Sequence, residues 1–138
     1  MADRPVKVIL DTNLWISYLI SRRLINIDVL LEKRAVKLIF SAESIAEFID
    51  VSNRPKFRKF FSEEDISALI NLLEYYSEIV EVRSEVNICR DAKDNFLLAL
   101  AKDSDADYLV TGDKDLLEID SFEGTKIVSY PIFEKELA

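Results

Sequence analysis

Asp11, Glu47, Asp91, Asp94 and Asp113 are the residues of this chain whose types and spacing could do chemistry together. Asp11 follows the apolar run Val6-Lys7-Val8-Ile9-Leu10, and Asp113 follows Tyr108-Leu109-Val110-Thr111-Gly112. Both runs read as buried strands, so each aspartate stands just past a strand's carboxyl end. Glu47 falls inside a helical pattern, and Asp91 and Asp94 fall at the start of another. Open parallel sheets bind ligands outside the carboxyl ends of their strands. Carboxylates gathered there repel one another, and a hard divalent cation with oxygen ligands relieves that repulsion. A metal in such a cleft points to phosphate chemistry.

Each acid also has a plainer reading. Asp11 or Asn13 could cap the helix that follows β-structure, and Asp91 and Asp94 could be an N-cap and a first-turn acid. Glu43 suits a first turn, whereas Glu47, four residues on, meets a like charge and is either a ligand or a solvated surface group. Asp113 and Asp115 in Thr111-Gly112-Asp113-Lys114-Asp115 fit a turn leading into a short capped helix, or a second cluster of ligands. Asp103, Asp105 and Asp107 precede a strand, at the opposite end of the sheet, and read as solvated loop. The conjunction of strand-end, helix and helix-start acids favours a metal site.

The elements that must position these acids alternate strand and helix, which predicts a three-layer α/β/α fold around a central, mainly parallel five-stranded sheet. The strands are expected at residues 6–10, 36–40, 79–82, 107–111 and 126–129. A helical region begins at Trp15, Ile16, Tyr18, Leu19 and Ile20 and continues through Ile25 to Leu31. Ser41 should cap a helix carrying Ile45, Phe48, Ile49 and Ser52 on one face and ending at Asn53-Arg54-Pro55. Ser62, with Glu63, Glu64 and Asp65 behind it, starts another helix bearing Ile66, Leu69, Ile70, Leu72, Leu73 and Tyr76. Phe96-Leu97-Leu98-Ala99-Leu100-Ala101 should be the most buried helix, and residues 132–137 a short terminal one. No repeat or linker divides residues 1–138, so a single domain is expected.

Composition removes much other chemistry. The chain has no histidine, which excludes histidine-based triads and bases and most zinc sites. Its one cysteine, Cys89, permits no internal disulfide and points to packing in a reducing cytoplasm. Two glycines, Gly112 and Gly124, leave no phosphate-cradling loop, so no nucleotide cofactor is expected. A net charge of −8 argues against broad nucleic-acid binding but leaves room for a local basic patch. The N-terminus lacks a signal-peptide pattern, and no apolar run reaches the roughly 20 residues of a membrane helix.

Taken in order, these residues resemble the PIN-domain ribonucleases, across nearly the whole chain. The motifs are Val8-Ile9-Leu10-Asp11-Thr12-Asn13, Ser44-Ile45-Ala46-Glu47-Phe48, Arg90-Asp91-Ala92-Lys93-Asp94-Asn95 and Ala106-Asp107-Tyr108-Leu109-Val110-Thr111-Gly112-Asp113-Lys114-Asp115. The last two are similar to the prokaryotic PIN group labelled as toxin components of toxin–antitoxin pairs. The resemblance implies Asp11, Glu47, Asp94 and Asp113 as catalytic acids holding Mg²⁺ or Mn²⁺, with Asp91 and Asp115 accessory. It implies hydrolysis of phosphodiester bonds in single-stranded RNA, a cognate antitoxin protein as partner, and a homodimer. Thr12, Asn13 and Thr111 would supply neutral hydrogen bonds behind the ligands.

RNA approaching an acidic protein needs cations. Arg54-Pro55-Lys56-Phe57-Arg58-Lys59-Phe60-Phe61 supplies Arg54, Lys56, Arg58 and Lys59 near the expected mouth of the site. Phe57 and Phe60 are expected to anchor the next helix to the core. Two other readings compete. A haloacid-dehalogenase-type phosphatase would need a second aspartate where Asn13 stands. A non-catalytic module would use apolar residues near Trp15, Tyr18 and Leu19 as an interface, although core is the simpler place for them.

Overall fold

The computed structural model describes residues 4–14, 16, 33, 35–60 and 62–137. The helical region expected between Trp15 and Leu31, and the interface reading of Trp15, Tyr18 and Leu19, lie almost wholly outside them. Among the described residues six strands form one sheet: β1 (Val6–Leu10), β2 (Val36–Phe40), β3 (Ser77–Ile79), β4 (Tyr108–Val110), β5 (Ser121–Phe122) and β6 (Thr125–Val128), in the order β3-β2-β1-β4-β6-β5. Every neighbouring pair is parallel except β5 with β6.

Alternate residues of the strands feed two cores. Val8, Leu10, Leu38, Phe40 and Val110 point to one face, covered by α1 (Ala42–Ser52), α2 (Glu63–Tyr76) and α5 (Tyr130–Leu137). Ile9, Ile39, Leu109 and Ile127 point to the other, covered by α3 (Ala92–Ser104) and α4 (Lys114–Ile119). This is the expected α/β/α arrangement. Leu98, Leu100 and Ala101 of α3 are sealed from solvent, as its apolar run predicts. No helix of the described residues is long and apolar enough to cross a membrane.

Capping sets the helix starts. Ser41 accepts the Ser44 amide and Ser62 accepts the Asp65 amide, each within a reciprocal capping box. Asp91 is the N-cap of α3 and Asp113 that of α4. Phe48 and Ser52 are buried on α1 and Ile45 packs on the first core, as expected; Ile49 is exposed instead, and Val51 turns inward in its place.

Three further expectations are corrected. The third strand ends at Ile79, and only Val80 continues its ladder, donating to the Phe40 carbonyl at 2.8 Å. Val80, and beyond it Val82 and Val86, pack into the second core. A sixth strand exists because Glu123 and Gly124 both take positive φ, 51° and 86°, the geometry of a tight hairpin turn. Asp103 and Asp107 are not idle loop acids: Asp103 accepts the Arg83 and Ser84 amides, and Asp107 accepts the Lys7 amide and pairs with Arg4.

The chain runs from β1 outward to β2 and β3, then returns to β4 on the other side of β1. The direction of winding therefore reverses between β1 and β4, where Leu10 and Val110 are register partners. A crevice opens at such a switch point, beyond the strand ends.

Candidate metal centre

A cleft of about 490 Å³ occupies this crevice, lined by Asp11, Glu43, Glu47, Asp91, Asp94 and Asp113 among others. Asp11 extends the ladder, its amide donating to the Val110 carbonyl at 3.0 Å. Its Oδ2 accepts the Thr111 hydroxyl at 2.8 Å, and its Oδ1 the Asn13 amide at 3.4 Å. Asp11 thus begins a helical turn and faces the cleft at once. Thr111 is 1% exposed, and its hydroxyl oxygen also accepts the Asp113 amide at 3.0 Å. One hydroxyl therefore ties the ends of β1 and β4 together. Thr12 and Asn13 line the cleft beside Asp11.

Asp113 uses Oδ1 to accept the Asp115 and Leu116 amides at 2.8 and 3.4 Å. Asp94, in the first turn of α3, is 4% exposed, and its buried Oδ2 has no hydrogen-bond partner among the described residues. Burial, then the charges of Asp113 and Asp91, push its carboxyl from 3.8 up to about 6. Carboxylate oxygens of Asp94, Asp113 and Asp115 lie within 4.8 Å of one another. Asp115 is engaged elsewhere: Arg90 grips both its oxygens, at 2.9 and 3.0 Å, and these hydrogen bonds hold it below the ordinary carboxylate range. Asp91 spends Oδ1 on the Lys93 amide at 2.9 Å while lining the cleft.

Glu47 reaches the cleft from α1, on the far side from α3. The Lys93 ammonium approaches its Oε1 to 3.3 Å. Lys93 and Arg90 stand in the motif that carries Asp91 and Asp94, but spacing alone gives neither of them a role. Arg54 lines the cleft and pairs with Asp50 of α1 at 3.6 Å. Lys56, Arg58 and Lys59 are exposed on the Pro55–Phe57 turn and just after it, and do not line the cleft. Phe57 packs on the first core as expected. Phe60 does not: it is 48% exposed, under Lys59 at 5.2 Å.

The donor set is all oxygen, which suits Mg²⁺ or Mn²⁺. An unpartnered carboxylate oxygen buried among other carboxylates is costly unless a cation or proton meets it. Cys89 offers no competing thiolate, since burial first and the nearby acids next push its thiol up.

Known proteins place this geometry in context. The sequence model of the PIN domain matches residues 7–115, a span that includes all of the acids above. The uncharacterized protein MJ1680 of Methanocaldococcus jannaschii is 33% identical over 124 residues, covering 86% of this chain and 78% of its own. Among solved structures, VapBC2 from Rickettsia felis, bound to a DNA fragment from their promoter, superposes with a TM-score of 0.56. That match covers 88% of this chain and 98% of the other at 19% identity, which is a likeness of fold.

Proposed function

The chain belongs to the PIN-domain family, and from that premise we propose that it is a divalent-metal-dependent ribonuclease acting on single-stranded RNA. PIN domains are generally nucleases, so phosphodiester hydrolysis is the natural reading of an acidic cleft on this fold. The observation that carries the metal dependence is Asp94 Oδ2, buried beside Asp113 and without a partner among the described residues.

In this reading Asp11, Glu47, Asp94 and Asp113 hold the ion, and Asp91 stands by at the rim. When bound, a divalent ion supplies charge stabilisation at the scissile phosphate and a water acidic enough to react near neutral pH. The chain's own groups do the rest. Thr111 fixes Asp11 by donating to Oδ2, and the α4 amides fix Asp113. Arg90 grips Asp115, which keeps an oxygen within 4.8 Å of Asp94 and Asp113 and stands by as an accessory ligand with part of its charge already met. Arg54, at the rim, meets RNA phosphates, and Lys56, Arg58 and Lys59 extend that contact away from the cleft.

The toxin role, an antitoxin partner and a homodimer belong to the same proposal. They are supported by the sequence's likeness to the toxin-component group and by a fold shared with the VapBC2 assembly. Purified protein should cut single-stranded RNA in Mn²⁺ or Mg²⁺ and leave a matched duplex intact. Asp11→Asn should lose at least a hundredfold in rate while keeping its melting temperature. Full activity in that variant, or equal cutting of the duplex, would overturn the assignment.

A further inference from the structure

Among the described residues the cleft carries six carboxylates, from Asp11, Glu43, Glu47, Asp91, Asp94 and Asp113, against two cations, Arg54 and Lys93. Arg54 already has a partner outside the acid cluster, Asp50. Among the described residues Lys93 pairs with Glu47, at 3.3 Å, and this pair joins α1 to the start of α3 across the cleft. Its side chain is 66% exposed and Glu47 is 36% exposed, so the pair is open to water and easily exchanged. Lys93 also stands one residue from Asp94, the most buried acid of the site. An ammonium on a flexible stem at that place has two stations within reach. One is the Glu47 carboxylate; the other is a phosphate entering the cleft.

We propose that Lys93 is an exchangeable counter-ion of the site, bridging Glu47 when the metal is absent and binding an RNA backbone phosphate when the metal holds Glu47. The inference rests on the ribonuclease reading and adds a substrate contact to it. A divalent ion that takes the same carboxylate loosens the ammonium's hold on Glu47, because the two positive charges repel. It then faces the only anion that arrives with substrate. Lys93 thereby lowers the repulsion among carboxylates in the metal-free protein and offsets their repulsion of RNA in the loaded one.

Two measurements on the full chain test this. The first is Mn²⁺ binding to the metal-free protein by titration calorimetry, for wild type, Lys93→Met, Glu47→Gln and the double variant. Losing the competing ammonium should tighten Mn²⁺ binding by about twofold to fivefold, the scale of an exposed ion pair. That gain should vanish in the Glu47→Gln background, whereas a general field effect would persist there. The second is kcat/KM on single-stranded RNA against salt. Lys93→Met should raise KM more than it lowers kcat and flatten the log–log salt slope by about 0.7, one phosphate contact on a single strand. Lys93→Arg should restore the slope. Unchanged or weaker Mn²⁺ binding in Lys93→Met, a gain that survives in Glu47→Gln, or an unchanged slope would each overturn the proposal. If wild type binds no Mn²⁺ at all, the ribonuclease reading falls first and this one with it, a result distinct from a metal-binding wild type indifferent to Lys93.

Discussion

The Thr111 hydroxyl donates to Asp11 Oδ2 at 2.8 Å, joining two residues separated by one hundred positions in sequence. The contact follows from the sheet. β1 and β4 are parallel neighbours with Leu10 opposite Val110, so the residues just past each end must meet. Because the same hydroxyl oxygen accepts the Asp113 amide, Thr111 sets the spacing of two acids at once.

Thr111→Val keeps the shape of this side chain and removes both bonds. The part-buried Asp11 oxygen and Asp113 amide then lose their partner, at a cost of about 1–3 kcal/mol in stability. Mn²⁺ affinity should fall about 10- to 100-fold, as for other groups that orient metal ligands. Thr111→Ser should retain most of both. Denaturant unfolding and Mn²⁺ titration of the two variants check this; equal affinities in wild type and Thr111→Val would contradict it.

Asp94→Asn should make the metal-free protein more stable at pH 7 while removing its function. Folding raises the Asp94 carboxyl from 3.8 to about 6, so between those values the folded state holds more protons than the unfolded one. The Asp94 contribution to stability is therefore fully present below pH 3.8, falls as pH rises to about 6, and stays lost above that. The variant's advantage should open across that window. Calorimetric melting of both proteins without metal, from pH 4 to pH 8, reads it directly. A variant that melts lower at pH 7 would refute the burial argument.

Asp107 provides a control with the opposite sign, at the other end of the sheet. The Arg4 side chain, and then the Lys7 amide, hold its carboxyl below the ordinary 3.8. The stability it contributes is present above the unfolded value and disappears as pH falls through the folded one. Asp107→Ala should cost about 1–2 kcal/mol at pH 7 through the lost bonds. It should leave Mn²⁺ affinity unchanged, and chemical denaturation paired with Mn²⁺ titration separates the two effects. A large drop in affinity would mean that the strand ends are coupled through the sheet.

Much of this architecture is legible in the residues. The runs ending at Leu10 and Val110 are apolar apart from Lys7, as strands covered on both faces tend to be, and each is followed at once by polar residues. Ser41, Ser62 and Asp91 announce helix starts because an N-cap works through local hydrogen bonds that need no tertiary partner. What sequence leaves unread depends on tertiary contact. Ile49 and Phe60 are apolar yet exposed, and only the helix orientation decides that. Glu123 carries no turn signature of its own, although it takes a positive φ in the hairpin. The pairing of Lys93 with Glu47 and of Arg90 with Asp115 joins segments 46 and 25 positions apart, which no local pattern encodes. The basic segment shows the same limit: four adjacent cations look like one patch, yet only Arg54 turns to the cleft.

The most direct measurement is cleavage of a panel of single-stranded RNAs by wild type and Asp94→Asn, each in Mn²⁺, Mg²⁺ and EDTA. Cutting that requires Mn²⁺ or Mg²⁺ and is lost in the folded variant is the predicted result. Cutting that continues in EDTA, or that Asp94→Asn performs as well as wild type, would contradict a metal-dependent site built on Asp94.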